Sequence, residues 1–276
     1  MSTESENILD KVLITGGDGM VASYIDFGIK ANRELFDITN QAQVLEVVKK
    51  IQPKVILHLA AKTGLLQCEE NPAETYMVNS AGTYNIALAA KMVGAKMIYV
   101  STDAVFSNSN SPHNVDDKAF PGNIYGHSKY LGELAVKGLS NNNIIVRISW
   151  VFGGGKEKDK RFVGKFISQI DQPEGKMVND QFSSPTYARD FANALKDLVL
   201  EDEKGIFHIV NSGTASRYDM AVVIAETLHK DAKILPVSAS AFGLESWQKS
   251  SGGLVSSVKL RPWREALKEY LETEWI

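Results

Sequence analysis

Four short, nearly continuous apolar runs, Lys11 to Thr15, Val55 to Leu59, Met97 to Val100 and Ile144 to Ile148, recur along the first half of this 276-residue chain. Strands buried on both faces read this way, because neither face has to meet water. Between the runs the apolar positions switch to helical spacing, as in Val44, Leu45, Val48, Ile51 and in Ile86, Ala89, Ala90, Val93. This alternation predicts parallel βαβ units and an α/β fold with a doubly wound parallel sheet. Ligands of such sheets sit beyond the carboxyl ends of the strands, so chemistry is expected in the residues that follow each strand.

After the first run comes Thr15-Gly16-Gly17-Asp18-Gly19-Met20-Val21-Ala22, leading into a short helical pattern. Glycines at this place permit a tight turn and let backbone N–H groups approach a pyrophosphate at a helix N-terminus. The spacing of Gly16, Gly19 and Ala22 is G-x-x-G-x-x-A, and alanine in third place still allows close helix-to-strand packing. An ordinary glycine turn is the bland alternative, and the position directly after the first strand favours the dinucleotide reading. Where an acidic residue often binds the adenosine ribose, this chain has Asn32 and Arg33, with Lys30 nearby. The absence of a carboxylate there favours NADP(H) over NAD(H), since cationic side chains can pair with the extra phosphate; solvated turn charges are the competing reading. Asp37 either accepts a hydrogen bond from an adenine amino group or caps the helix that begins near Gln41.

The texture changes after Val151: Gly153-Gly154-Gly155 precedes the charged stretch Lys156 to Arg161, and Phe162, Val163, Phe166, Ile167 and Ile170 follow at helical spacing. Residues 1–150 are therefore expected to form a Rossmann-type dinucleotide-binding domain. Residues 151–276 are expected to form mainly a smaller α/β substrate-binding region, some of whose segments return to the first domain. That later part carries a strand-like Gly205 to Val210, a helix-like Tyr218 to His229, and a last helix opened by Pro262 with Trp263, Leu267, Tyr270 and Leu271.

Composition narrows the partners. Thirty Lys and Arg against 33 Asp and Glu leave a net charge of −3, which gives no general attraction to nucleic acid or to an anionic membrane, so a small-molecule substrate is expected. Cys68 is the only cysteine and fits a reducing cytosol as inert packing, and five histidines with one cysteine show no metal-ligand spacing. The polar, acidic start from Met1 to Asn7 lacks the pattern of a secretory signal, and no apolar run approaches a bilayer span. A cytoplasmic protein without bound metal is expected.

The reactive candidates follow the third run. Ser101-Thr102-Asp103 ends it, and Tyr125-Gly126-His127-Ser128-Lys129 places tyrosine and lysine at i and i+4, on one helix face. A free phenol titrates near 10, and a neighbouring ammonium favours its anion, so such a pair can exchange a proton near neutral pH. The lysine can also hold a nicotinamide ribose. A hydroxyl at the end of the adjacent strand would polarise a carbonyl and stabilise the alkoxide that forms from it.

With these three signals in order, the sequence resembles the extended short-chain dehydrogenase/reductases, and within them the sugar-nucleotide reductase branch of dTDP-4-dehydrorhamnose reductase. The resemblance is carried by Val12-Leu13-Ile14-Thr15-Gly16 with Gly19, Phe36-Asp37-Ile38-Thr39, His58-Leu59-Ala60-Ala61-Lys62-Thr63 and Val78-Asn79. It continues through Ser101 to Phe106, Tyr125-Gly126 with Lys129, Arg147 to Gly153, Asn179 to Thr186 and Gly205-Ile206-Phe207-His208. It implies an NAD(P)H-dependent reduction of the 4-keto group of a nucleotide-linked 6-deoxysugar, with Thr102, Tyr125 and Lys129 as the catalytic trio. Gly16, Gly19, Met20, Val21, Asn32, Arg33, Asp37, Ile38, Ala60, Ala61, Lys62, Thr63 and Asn79 would line the dinucleotide. Thr102, Asp103 and Trp150 would face the sugar, and Gln181 to Thr186, with Gln181 and Pro185, would form the nucleotide side. A homodimer is likewise implied.

The chain departs from the family pattern in four places. Leu66 stands where the reductases usually have an aspartate, and Ala104 where they have a tyrosine. Gln248-Lys249-Ser250-Ser251-Gly252-Gly253 replaces a loop rich in arginine and proline, and the stretch between the glycine turn and Asn32 is short, which predicts a reduced first helix. Bland readings stand beside several candidates: Trp150 as core packing, His58 as a hydrogen-bonded core histidine, and Lys156 to Arg161 as a solvated loop, against an Arg161 that meets a substrate diphosphate. The competing functions are an epimerase or dehydratase of the same superfamily and a non-catalytic dinucleotide-binding regulatory subunit.

Overall fold

The computed structural model describes residues 7–107, 111–172, 174–248 and 252–276. Lys249, Ser250 and Ser251 of the divergent loop lie outside the described residues. In chain order the elements begin β1 (Val12–Thr15), β2 (Ile29–Ala31), α1 (Gln41–Ile51), β3 (Val55–His58), α2 (Leu65–Glu70), α3 (Pro72–Tyr76) and α4 (Thr83–Val93). Next come β4 (Lys96–Thr102), α5 (Ile124–Leu139), β5 (Ile144–Ile148), β6 (Val151–Phe152), α6 (Gly155–Lys158) and α7 (Phe162–Ser168). The remainder is β7 (Gly175–Val178), β8 (Thr186–Tyr187), α8 (Ala188–Leu200), β9 (Gly205–His208), α9 (Arg217–Thr227), β10 (Ile234–Val237) and α10 (Trp263–Glu274).

Six parallel strands form the main sheet in the order β2-β1-β3-β4-β5-β9. Every residue of β1 and of β3 is buried, as strands covered on both faces require. One face packs the apolar stripes of α1 and α4, with Val44, Val48, Ile86, Ala89 and Ala90 against Leu13, Ile56 and Met97. The other face is covered by α8, whose Phe191, Leu195, Leu198 and Val199 meet Val12, Leu57, Ile98 and Val146. Asn40 caps α1 by accepting from the Gln43 N–H, so Asp37 is not the cap. In place of a long first helix the chain makes only a short turn of 3₁₀ helix at Val21–Tyr24, in keeping with the shortened sequence there.

Segments after residue 151 divide between two places. Helix α8 and strand β9 join the main sheet, while α7, α9 and α10 enclose a separate core of Phe152, Val163, Tyr187, Ile224, Trp263 and Leu267. Two small parallel pairs, β6 with β8 and β7 with β10, flank this second core. The C-terminal helix is tied back across the molecule through Glu274, which accepts from the hydroxyls of Tyr24 at 2.6 Å and Tyr187 at 2.8 Å and from Arg189. Among the described residues no helix is long and apolar enough to cross a membrane, and no cluster of His, Cys, Asp and Glu could hold a metal ion.

A buried ion pair supports the centre of the sheet. Glu133 on α5 accepts from Arg147 on β5 at 2.7 and 2.9 Å and from the Ser101 hydroxyl at 2.7 Å, with both charged residues sealed from solvent. Charges taken out of water are tolerated only when paired and hydrogen-bonded, so removing one partner strands the other. Replacing Glu133 by glutamine is expected to lower unfolding stability by about 3–5 kcal/mol in urea titrations; a loss below about 1 kcal/mol would contradict this account.

Candidate active site

The strand order changes direction between β1 and β3, and the crevice at that switch point is where a ligand is held in doubly wound sheets. Gly16 leaves β1 with φ +71°, and a side chain there would press within 2.8 Å of the Ala60 nitrogen at the end of β3. The turn is pinned to β2 by the Gly17 N–H, which donates to the Ala31 carbonyl at 2.9 Å. A cleft of about 260 Å³ opens beside it, lined by Gly16, Gly19, Asn32, Arg33, Asp37, Ile38, Ala60 and Ala61. Asn32 follows β2 directly and closes its own turn by accepting from the N–H groups of Glu34 and Leu35. Asp37 is held by the N–H and hydroxyl of Thr39 at 2.8 and 2.9 Å, and these bonds hold its carboxyl below the usual range. Arg33 is among the residues that line the cleft.

A larger cavity of about 630 Å³ continues from the glycine turn across the ends of β4 and β5, and there the structure brings Thr102, Asp103, Tyr125, Lys129, Trp150, Arg161 and Gln181 together with Gly16, Gly19, Met20, Val21, Ala61 and Thr63. Three sequence candidates lie elsewhere. Pro185 is buried and lines neither cavity. Lys62 turns its ammonium outward to Glu74. Asn79 spends its amide within the protein, accepting from the Lys62 N–H at 2.8 Å and donating to the Lys62 carbonyl and to the Ser128 hydroxyl. It therefore ties the Ala61–Thr63 segment, which lines the larger cavity, to α5.

Helix α5 delivers the tyrosine. Asn123 caps it by accepting from the Gly126 N–H at 2.7 Å, and the absence of a side chain at Gly126 lets the first turn rest on the carbonyl of Ala104, which a Cβ would overlap. Tyr125 is thereby brought beside Thr102 at the end of β4. Burial pushes its phenol up to about 12, while the Arg161 charge and the Thr102 hydroxyl pull it back. Lys129, expected from the sequence to lower this phenol, directs its ammonium to the Val100 carbonyl at 2.7 Å and sits 4.2 Å from the centre of the Tyr99 ring, and burial sets the direction of the Tyr125 shift. Tyr125 is a neutral phenol at physiological pH, the form a proton donor needs.

Lys129 is buried, and desolvation brings its ammonium down to about 7, opposed by Glu133. Asp103 accepts from the hydroxyls of Ser149 at 2.6 Å and Ser183 at 2.8 Å, and a bond from Thr102 at 3.2 Å links it to the reactive hydroxyl. Trp150 lines the cavity with a backbone φ of +36°, a conformation bulky side chains rarely adopt. Its ring is covered by Arg217, a cavity residue that the sequence reading did not single out. An arginine opening a helix carries no linear signal of this; only the fold brings it to Trp150. His58 is a core residue, bonded to Thr15 at 2.6 Å and Thr83 at 3.1 Å and kept neutral by burial. Cys68 is buried and free.

The fold and this constellation define a dinucleotide-binding short-chain dehydrogenase/reductase. The sequence model of the RmlD substrate binding domain matches residues 10–275, and the chain belongs to that family. It is 32% identical to a spore coat polysaccharide biosynthesis protein of Bacillus subtilis, over 96% of this chain and 98% of that protein. With dTDP-4-dehydrorhamnose reductase of Mycolicibacterium smegmatis it shares 33% identity over 94% of this chain and 84% of the relative. The crystal structure of dTDP-4-dehydrorhamnose reductase from Bacillus anthracis in complex with NADP superposes with a TM-score of 0.90 at 32% identity, covering 95% of this chain and 99% of that one. UDP-glucose 4-epimerase of Thermus thermophilus shares the fold at a TM-score of 0.76 and 17% identity, over 95% and 97% of the two chains.

The Lys129 environment has a measurable consequence. The folded chain holds this ammonium at about 7 against an ordinary 10.5, so between those values the unfolded chain binds the extra proton and stability rises with pH. The stability of the native sequence relative to Lys129→Met is therefore expected to be flat below about pH 7 and to increase from pH 7 to 10 in urea unfolding. A difference that falls with pH would contradict the assignment.

Proposed function

We propose that this protein is an NADP-dependent oxidoreductase that reduces the 4-keto group of a nucleotide-linked 6-deoxysugar. The observation that carries the reading is the meeting of Thr102 and Tyr125 in one cavity with the glycine turn, so that a carbonyl seated between them lies beside the place for a nicotinamide. Support comes from the relatives named dTDP-4-dehydrorhamnose reductase and from the NADP complex of the Bacillus anthracis enzyme.

The residues present fit the cofactor. Gly16 and Gly19 would hold its pyrophosphate, Asn32, Arg33, Asp37 and Ile38 its adenosine half, and Thr63 and Lys129 its nicotinamide half. When bound it supplies the hydride. The chain's own part is electrostatic and acid–base. Thr102 donates a hydrogen bond to the substrate carbonyl oxygen and favours the negative charge that develops there. Tyr125, protonated through the neutral range, gives its phenolic proton to that oxygen. Asp103, fixed by Ser149 and Ser183, orients the Thr102 hydroxyl. Ala104 leaves the cavity without the second carboxylate that a dehydratase needs for moving protons at the ring. The same reading makes the enzyme cytoplasmic, in keeping with a buried and unpaired Cys68, and homodimeric.

Two substitutions test this. Tyr125→Phe is expected to cut kcat about 10²–10⁴-fold while NADPH binding stays within twofold of the native protein; unchanged turnover would remove Tyr125 as the acid. Arg33→Gln is expected to weaken NADPH about tenfold and leave NADH unaffected, as calorimetric titration would show, because only the former carries the ribose phosphate. Equal effects on the two dinucleotides would place Arg33 outside the phosphate site.

A further inference from the structure

The reaction cavity is strongly cationic on a chain whose net charge is −3. Among the described residues Lys129, Arg161, Lys176 and Arg217 line it, against the single carboxylate of Asp103. Arg217, the first residue of α9, stacks on Trp150 with its guanidinium carbon 3.6 Å from the ring centre and lies 4.5 Å from the Phe162 ring. Its hydrogen bond goes to the sulfur of Met220, a weak acceptor, and Arg161 donates to the Thr63 hydroxyl at 2.7 Å. Among the described residues no ion pair involves either arginine. Burial brings Arg217 down to about 9, with the charge of Asp103 opposing and that of Arg161 adding to the effect. A guanidinium held partly out of water against two aromatic rings is a ready partner for an anion.

Arg217 lies on the Trp150 side of the cavity, beyond β5, and the glycine turn that serves the dinucleotide phosphates lies after β1. An anion placed against it in this cavity is therefore one carried by the substrate. A single carboxylate would occupy one planar fork, whereas two guanidinium groups with Lys176 match an anion with two phosphoryl groups. We propose that Arg217, held in place by the Trp150 ring, and Arg161 together grip the diphosphate of the nucleotide sugar. This rests on the reading that the substrate is a nucleotide sugar, and assigns its diphosphate anchor to a residue that no motif marks. With Leu66 and Ala104 contributing no polar group toward the sugar, the diphosphate becomes the main handle for affinity.

The test is calorimetric, on NADP-saturated protein, with dTDP, UDP and GDP, the matching nucleosides, and inorganic pyrophosphate. Whichever nucleoside diphosphate binds the native protein is expected to bind Arg217→Gln at least tenfold more weakly, as is pyrophosphate. The nucleoside and NADPH should bind both proteins alike, and Arg217→Lys should retain part of the affinity. Arg161→Gln, at an exposed position that cannot disturb the core, should weaken the same ligands and so guards against misfolding of the Arg217 variants. Equal affinity of native and both glutamine variants for the diphosphates overturns the proposal, as does an equal loss for the nucleoside or for NADPH. If the native protein binds no nucleoside diphosphate, the nucleotide-sugar reading itself fails, and the clamp with it.

Discussion

Docking of α5 against β4 positions the whole reactive apparatus. Three contacts fasten the two elements along their length: the Tyr99 hydroxyl donates to the Lys129 carbonyl, the Lys129 ammonium to the Val100 carbonyl, and the Ser101 hydroxyl to Glu133. At the open end Gly126 lets the helix settle on Ala104, one residue past Asp103. Thr102 is supplied by the strand, and Tyr125 and Lys129 by the helix, so their relation is fixed by backbone packing instead of by flexible side chains. Precision of that kind is what an acid and a hydrogen-bond donor acting on one oxygen require.

The polar groups behind this junction form a continuous support. Glu133 and Arg147 satisfy one another in the core, Asp103 is met by two serine hydroxyls, and His58 bridges Thr15 to Thr83. Asn79, in a stretch of π-helix at Met77–Gly82, joins the Ala61–Thr63 segment to α5 through both the oxygen and the nitrogen of its amide. Bulges of this type recur at functional sites because they redirect a side chain without breaking the helix. A buried polar network is stable only when every member is satisfied, and here it reaches the cavity through Asp103, which adjoins Thr102.

Much of this was legible in the chain. The apolar runs mark strands buried on both faces, and the residues after β1, β2, β3 and β4 are those that line the crevice, because a parallel sheet places all its carboxyl ends on one edge. What escaped linear reading depends on side-chain direction or on contacts between distant segments. Lys129 shares a helix face with Tyr125, yet its ammonium finds a backbone carbonyl before it reaches the phenol. Lys62 is turned outward by Glu74, and Asn79 is consumed by neighbours. Arg217 and Trp150 are far apart in sequence and meet only because α9 belongs to the second core, against which Trp150 packs. Trp150 itself could be read as wall or core, and it is both: it lines the cavity and packs against the second core.

The departures from the family pattern bear on which sugar is accepted more than on what is done to it, since Thr102, Tyr125 and Lys129 are in place while Ala104 and Leu66 are not what the resemblance leads one to expect. The most direct measurement is isotopic. NADPH deuterated at the transferring position of its nicotinamide would be incubated with the protein and dTDP-, UDP-, GDP- and CDP-linked 4-keto-6-deoxysugars, and the products examined by proton NMR. The account predicts one deuterium at sugar carbon 4 of an alcohol product, in step with loss of nicotinamide absorbance. Cofactor binding without deuterium in any sugar would contradict it, and would make the assembled site that of a protein that binds the dinucleotide for another purpose.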